Sequence, residues 1–246
     1  MRLAVTSPGE PEIFEALQGE GVSMGRPSVF LRTSQCNLHC VWCDTPYTWN
    51  FTGTDFRHRS AAKFDRVSES VDMDVPAIAA LLMATTPRRL VLTGGEPLLQ
   101  QRELTQLCAA LKAEDPAWHV EIETNGTIAP TEDTAAQIDQ FNVSPKLLHS
   151  GNDMGLRIKP DLLAWYAEDA RASFKFVVSS PLDLHEIRAI AGRVGLPAHR
   201  IWLMPEGTDS ATLRARAAWL EPLCLEQGYN FSDRLHIHLH GDTRGT

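Results

Sequence analysis

No apolar run in this chain approaches the ~20 residues that a bilayer crossing requires, and the opening stretch Met1 to Pro8 carries no signal-type apolar segment. A cytoplasmic protein with no membrane partner is therefore expected. Positive charge is scarce as well: 23 Lys and Arg stand against 31 Asp and Glu over 246 residues, a formal net charge of −8, and the basic residues form no block. Phosphate affinity depends on clustered cations, so no nucleic-acid partner is expected, although one or two local basic residues can still hold a small anion. Internal repeats and low-complexity tracts are absent, which excludes solenoids and linker-rich arrays. Cysteine is sparse, odd in number and unevenly placed: five in all, three of them between positions 36 and 43. That pattern is not a disulfide framework, and the three need a chemical explanation.

What is present reads as alternating strands and helices. A 43% hydrophobic fraction supports a sizeable core. Short β-branched runs at Ser28–Arg32, Leu90–Thr93, His119–Glu123, Phe141–Val143, Phe174–Val178, Ile201–Met204 and Leu235–Leu239 have strand length. Helical spacing fills the intervals at Val75–Ala84, Arg102–Ala113, Thr131–Ile138, Leu182–Val194 and Ala211–Gln227. Repeated strand and helix means parallel units of an α/β fold. These seven strands fall short of a full eightfold barrel, so an incomplete (partial) β/α barrel is expected, with its chemistry at the C-terminal strand ends. The chain is expected to be one domain over 1–246. Long irregular segments interrupt it at Pro46 to Asp72, taken as an insertion, and at Lys146 to Pro160.

Cys36, Cys40 and Cys43 follow directly on the first of these strands, in a polar loop that also holds Asn37, His39 and Asp44. Soft thiolates at these spacings suit zinc or an iron–sulfur cluster. Zinc needs a fourth ligand, for which His39 or a distant His is available. A cubane held by three cysteines keeps one iron open to an exogenous ligand. Cys108 shares a helical face with Leu104, Leu107 and Leu111, and Cys224 lies near Leu220 and Leu223, so both read as small core residues. His236, His238 and His240 alternate in a run read as a strand, which puts them on one side, either a hydrated face or a metal site.

At the cysteine triplet the chain resembles the radical S-adenosylmethionine (SAM) enzymes. Leu92-Thr93-Gly94-Gly95-Glu96-Pro97 is similar to the glycine-rich strand end that receives the SAM methionine in that family. Two glycines allow close approach to the backbone, and Glu96 or exposed carbonyls can accept from an ammonium. Glu123-Thr124-Asn125-Gly126 and Ser144-Pro145-Lys146 fit later cofactor contacts.

Phe14 to Gly21, Gly25-Arg26-Pro27, Phe30-Leu31-Arg32, Cys43-Asp44-Thr45 and Val143 to Lys146 further resemble the 7-carboxy-7-deazaguanine synthases, over nearly the whole chain. That resemblance implies a lyase that contracts a carboxylated tetrahydropterin with loss of ammonia, on a radical SAM partial barrel carrying a [4Fe-4S] cluster. It implies substrate contacts at Leu17, Gln18, Gly19, Glu20, Arg32 and Thr93, with His240 and the terminal Thr246 placed there by alignment. It implies SAM contacts at Trp42, Asp44, Gly95, Glu96, Ser144, Pro145, Lys146, Met204, Pro205 and Glu206. Thr45 matches the Mg²⁺ position. A one-electron donor of flavodoxin or ferredoxin type and a homodimer are implied too. The residues suit such a ligand: a flat heterocycle with donor and acceptor edges plus a carboxylate calls for backbone groups, an amide or carboxylate and one guanidinium, here Arg32. Two other readings stay open on the triplet, an activase of a glycyl-radical enzyme and a non-catalytic zinc module.

Overall fold

The computed structural model describes residues 1–246. Strands β1 (Arg2–Ser7), β2 (Glu10–Pro11), β3 (Ile13–Leu17) and β4 (Pro27–Thr33) open the chain, and β5 (Ser70–Asp72) closes the segment after the cysteines. Alternation then sets in with α1 (Val75–Met83), β6 (Arg89–Gly94), α2 (Gln101–Glu114), β7 (His119–Thr124), α3 (Glu132–Gln137) and β8 (Gln140–Val143). It continues through α4 (Met154–Arg157), α5 (Pro160–Glu168), β9 (Ala172–Val178), α6 (Asp183–Val194), β10 (Ile201–Pro205), α7 (Ser210–Gln227), β11 (Asn230–Phe231) and α8 (Leu235–His240).

Eleven strands form one open sheet in the order β11-β10-β9-β8-β7-β6-β4-β1-β2, with β3 on β4 and β5 on β1. The path from β4 to β11 is parallel, whereas β1, β2, β3 and β5 pair antiparallel. The sheet does not close on itself, as an incomplete barrel requires.

Period-two alternation sorts each parallel strand into two faces. Val29 and Leu31, Leu90 and Leu92, Val120 and Ile122, and Phe174, Phe176 and Val178 point outward into a 35-residue hydrophobic cluster under the helices. Their neighbours Phe30, Arg32, Thr93, Glu123, Lys175 and Val177 line the concave interior. Register sets Arg32 level with Thr93, and Glu123 level with Asn142. Helices start where short polar side chains cap them: Asp74 accepts from Ala77 N at 2.8 Å, and Asp209 from Thr212 N at 2.8 Å. Cys108 is fully buried beside Leu104, Leu107 and Leu111, and burial pushes its thiol up to about 12. Cys108→Ala should cost about 1 kcal/mol by removing one buried atom and leave iron content unchanged, as read by thermal melting and iron analysis.

Several expectations need correction. Leu235–Leu239 is not a strand: it belongs to α8, anchored by Leu235 N donating to Gly19 O at 2.9 Å with Ile237 buried. The alternating histidines suggested period two, but docking against the loop after β3 selected a helical turn, which sends His238 to Ser210 and Asp233 and leaves His236 and His240, one turn apart, on one side. Strands β1, β2, β3, β5 and β11 and helix α5 were not anticipated; the first four are antiparallel edge pieces of short or mixed polarity, which alternation does not signal. The 46–72 segment folds onto the cysteine loop. Tyr47, Trp49 and Phe51 are buried, Phe51 bridges Phe64, the His39 ring stacks on Phe56, and His58 Nε2 lies 2.7 Å from Cys43 O. The Lys146 to Pro160 segment likewise contains α4.

Candidate active site

The strand ends enclose a cavity of about 470 Å³. All three clustered cysteines line it as free thiols. Their loop is pinned from every side: Gln35 N donates to Thr48 O at 2.8 Å, Val41 N to Ser150 O at 2.9 Å, and His39 N to Asn152 Oδ1 at 2.8 Å. Asn152 Nδ2 also donates to Cys40 Sγ at 3.3 Å. Burial pushes all three thiols up, Cys40 to about 11. No three His, Cys, Asp or Glu side chains converge on a point that would hold a single metal ion. The three thiols line one cavity, where each can serve a different iron of a cluster.

The glycine-rich end of β6 meets this loop edge to edge. A Cβ on Gly95 would lie 1.9 Å from Gln35 O, so only glycine lets the two backbones touch, and Glu96 N donates to Gln35 O at 2.9 Å. The Glu96 carboxylate is fully buried away from the cavity. It accepts from Leu98 N at 3.1 Å, Thr124 Oγ1 at 2.9 Å and Asn125 N at 2.7 Å. It braces the β7 end, so the groups left to meet an ammonium are the backbone of Thr93 to Gly95. Of the other residues matched to SAM contacts, Trp42, Asp44, Ser144, Lys146, Met204 and Glu206 line the cavity, whereas Pro145 and Pro205 do not. Lys146 Nζ donates to Ser144 Oγ at 2.9 Å and lies 5.9 Å from the Trp42 ring centre. Glu206 is engaged by Arg59 at 2.6 Å and by Arg216, tying the 46–72 segment to the turn after β10.

The same cavity is also lined by Leu17, Gln18, Gly19, Glu20, Arg32 and Thr93. Gln18 Nε2 lies 3.4 Å from Glu121 Oε1 and 3.5 Å from Glu123 Oε1. Arg32 Nε donates to Glu12 Oε1 at 2.7 Å, and Glu12 also accepts from Tyr47 Oη at 3.0 Å, which leaves both terminal nitrogens of Arg32 without a protein acceptor. Glu20 sits between Lys175 Nζ at 2.6 Å and Arg234 Nε at 3.0 Å. Burial alone would raise its pKa, but those cations and His236 outweigh burial and hold it well below the carboxylate range. Thr45 lines the cavity with Oγ1 3.5 Å from Cys43 Sγ.

At the C-terminus Thr246 reaches the cavity, while His240 lies outside it, on a smaller adjacent cavity of about 200 Å³. His236 takes the inner position: its Nδ1 would stand 2.1 Å from a Cβ on Gly19. His236 borders the smaller cavity as well, and it is the histidine nearer the start of α8 that reaches the main one. Arg244 holds the tail, donating to Val5 O at 2.9 Å and Glu69 Oε2 at 2.8 Å with its guanidinium carbon 3.5 Å from the Tyr47 ring centre.

Sequence reasoning missed Glu12, Tyr47, Lys175, Arg234, His236 and Arg244 as cavity residues. Lys175 alone carried a signal, a single charge within the apolar run Phe174 to Val178 at a position whose alternation points inward.

The family described as a 4Fe-4S single cluster domain matches residues 17–159. The 7-carboxy-7-deazaguanine synthase of Pyrobaculum aerophilum is 36% identical over 238 residues, covering 95% of this chain and 95% of that protein. The same-named protein of Rhodopirellula baltica is 34% identical, covering 96% and 87%. The crystal structure of QueE from Escherichia coli has a TM-score of 0.65 at 24% identity, over 96% of this chain and 95% of that one. With a cysteine-lined cavity at the parallel strand ends and relatives matched along almost the full length, the chain belongs to the 7-carboxy-7-deazaguanine synthase family of radical SAM enzymes.

Proposed function

We propose that the cavity contracts 6-carboxy-5,6,7,8-tetrahydropterin to 7-carboxy-7-deazaguanine with loss of ammonia, a step of 7-deazapurine (queuosine-type) biosynthesis. The observation that carries the reading is that three free thiols and the Gln18, Glu20 and Arg32 side chains line one cavity of about 470 Å³, within the range of small-ligand sites. The cluster and SAM, when bound, supply the electron and the 5′-deoxyadenosyl radical that removes hydrogen from the pterin carbon bearing the carboxylate.

The chain's own residues bind and orient. Arg32 offers its two free terminal nitrogens to the substrate carboxylate as a bidentate clamp. Gln18, the Gly19 backbone and Glu20 meet the donor and acceptor edges of the ring, and His236 replaces His240 as the histidine beside them. Thr246 and the Arg244-anchored tail close the near side against water. Cys36, Cys40 and Cys43 hold the cluster, the Thr93 to Gly95 backbone with Trp42, Asp44, Ser144, Lys146, Met204 and Glu206 surrounds SAM, and Thr45 contributes to Mg²⁺. The whole chain acts as one catalytic unit, supported by its continuous 35-residue core. It works in the cytoplasm as a homodimer with a flavodoxin or ferredoxin type donor.

The protein reconstituted anaerobically should bind about four irons and four sulfides and, with SAM, dithionite and carboxytetrahydropterin, form the deazapurine; no such product would sink the reading. Arg32→Ala should weaken pterin binding about 10- to 100-fold by deleting a charge-assisted contact while SAM binding persists. Unchanged pterin affinity would count against the clamp.

A further inference from the structure

Arg234 enters the cavity from the residue before α8 and is almost wholly buried. Its guanidinium donates from Nε to Glu20 Oε1 at 3.0 Å, from Nη1 to Gly207 O at 2.5 Å, and from Nη2 to Asp44. These acceptors lie on three separate segments: the loop after β3, the turn after β10, and the cysteine loop one residue beyond Cys43. The other oxygen of Glu20 accepts from Lys175 at 2.6 Å, and Lys175 also donates to Glu123 at 2.9 Å. Five groups thus form a ladder, Asp44, Arg234, Glu20, Lys175 and Glu123, in which three carboxylates share two buried cations, with Asp44 at the exposed end. No other Lys or Arg pairs with these carboxylates. A change of partner at one rung therefore alters what the others receive, because a buried carboxylate cannot be left uncompensated without large cost.

We propose that Arg234 is a positioning residue that couples the two halves of the cavity, so that the pterin and SAM each strengthen the binding of the other. The inference rests on the reading above, in which Glu20 faces the pterin and Asp44 faces SAM. A pterin brings N–H donors to Glu20 and takes over part of what Arg234 supplies, leaving the guanidinium to fix Asp44 and the end of the cysteine loop. SAM held at Asp44 fixes the guanidinium in turn and presents Glu20 in one orientation. The planar guanidinium holds Glu20, Gly207 O and Asp44 in one fixed relative geometry, whereas an ammonium, which can pair with two carboxylates as Lys175 does, has rotatable donors that do not fix their mutual orientation. Thermodynamic linkage requires the two effects to be equal.

The test uses the cluster-loaded enzyme without reductant, so that no turnover occurs. SAM affinity is measured with and without carboxytetrahydropterin, and pterin affinity with and without SAM, for the native protein, R234K and R234Q. In the native protein each ligand should tighten the other by the same factor, about fivefold or more. In both variants that factor should fall to about one, with iron content unchanged. Coupling that survives in R234K would overturn the role of the fork, and R234K, which keeps the buried positive charge, decides alone should R234Q fail to load iron. Binding of both ligands to the native protein without coupling overturns this inference by itself. Failure of the native protein to bind the pterin overturns the functional reading and this inference with it.

Discussion

Replacing any one of Cys36, Cys40 or Cys43 by alanine should abolish cluster assembly and product formation completely. The three thiols face one cavity, and the remaining cysteines, Cys108 and Cys224, are buried in the hydrophobic cluster under the helices, where neither can substitute. Each ligand serves its own iron, so a single loss strands part of the cubane rather than weakening it evenly. Iron and sulfide analysis after anaerobic reconstitution reads the outcome, with Cys108→Ala as the control. Retained iron in any of the three variants would show that the ligand set is wrong. The same chemistry sets a pH dependence. Burial pushes the metal-free thiols up, Cys40 to about 11, so they are protonated near neutrality. Assembly releases those protons and should become more favourable as pH rises and less so as it falls.

Gly95→Ala should be the most damaging substitution outside the three cluster cysteines. The new Cβ would lie 1.9 Å from Gln35 O, 2.4 Å from Gln35 C and 2.9 Å from Cys36 N, all backbone atoms that no rotamer change can move aside. Either β6 or the cysteine loop must shift, at a cost of about 3 kcal/mol, which corresponds to a fall of roughly 6–12 °C in Tm for a chain of this size. Because the displaced atoms include the Cys36 amide, iron content should fall along with Tm. Gly192→Ala provides the contrast. Within α6 a Cβ there meets nothing within 4 Å, so it should raise stability by about 0.5–1 kcal/mol and leave iron untouched. A Gly95→Ala protein with native Tm and full iron would refute the close contact between the two loops.

Much of the frame was legible because it rests on local rules. Six of the seven anticipated strands and all five anticipated helices are present, since a parallel sheet covered by helices writes itself as short apolar runs between amphipathic ones. The seventh, Leu235–Leu239, failed because a six-residue helix has too little periodicity to outvote alternating histidines. The antiparallel edge was illegible for a related reason: β2, β3 and β5 are short, and partners fixed far along the chain supply their hydrogen bonds.

The sequence by itself determined the chemistry: a thiolate triplet after a strand, a glycine pair at the next strand end, and an acidic, non-basic chain suited to small molecules. Only the tertiary structure decided which charges meet. It turned the Glu96 carboxylate away from the cavity and into the β7 brace, placed His236 rather than His240 in the main cavity, and brought Asp44, Glu20 and Glu123 together with Lys175 and Arg234. Residue type and spacing specify what a side chain can do, but a buried charge takes the partners that folding leaves within hydrogen-bonding distance. Here those partners are as many as 214 positions apart along the chain.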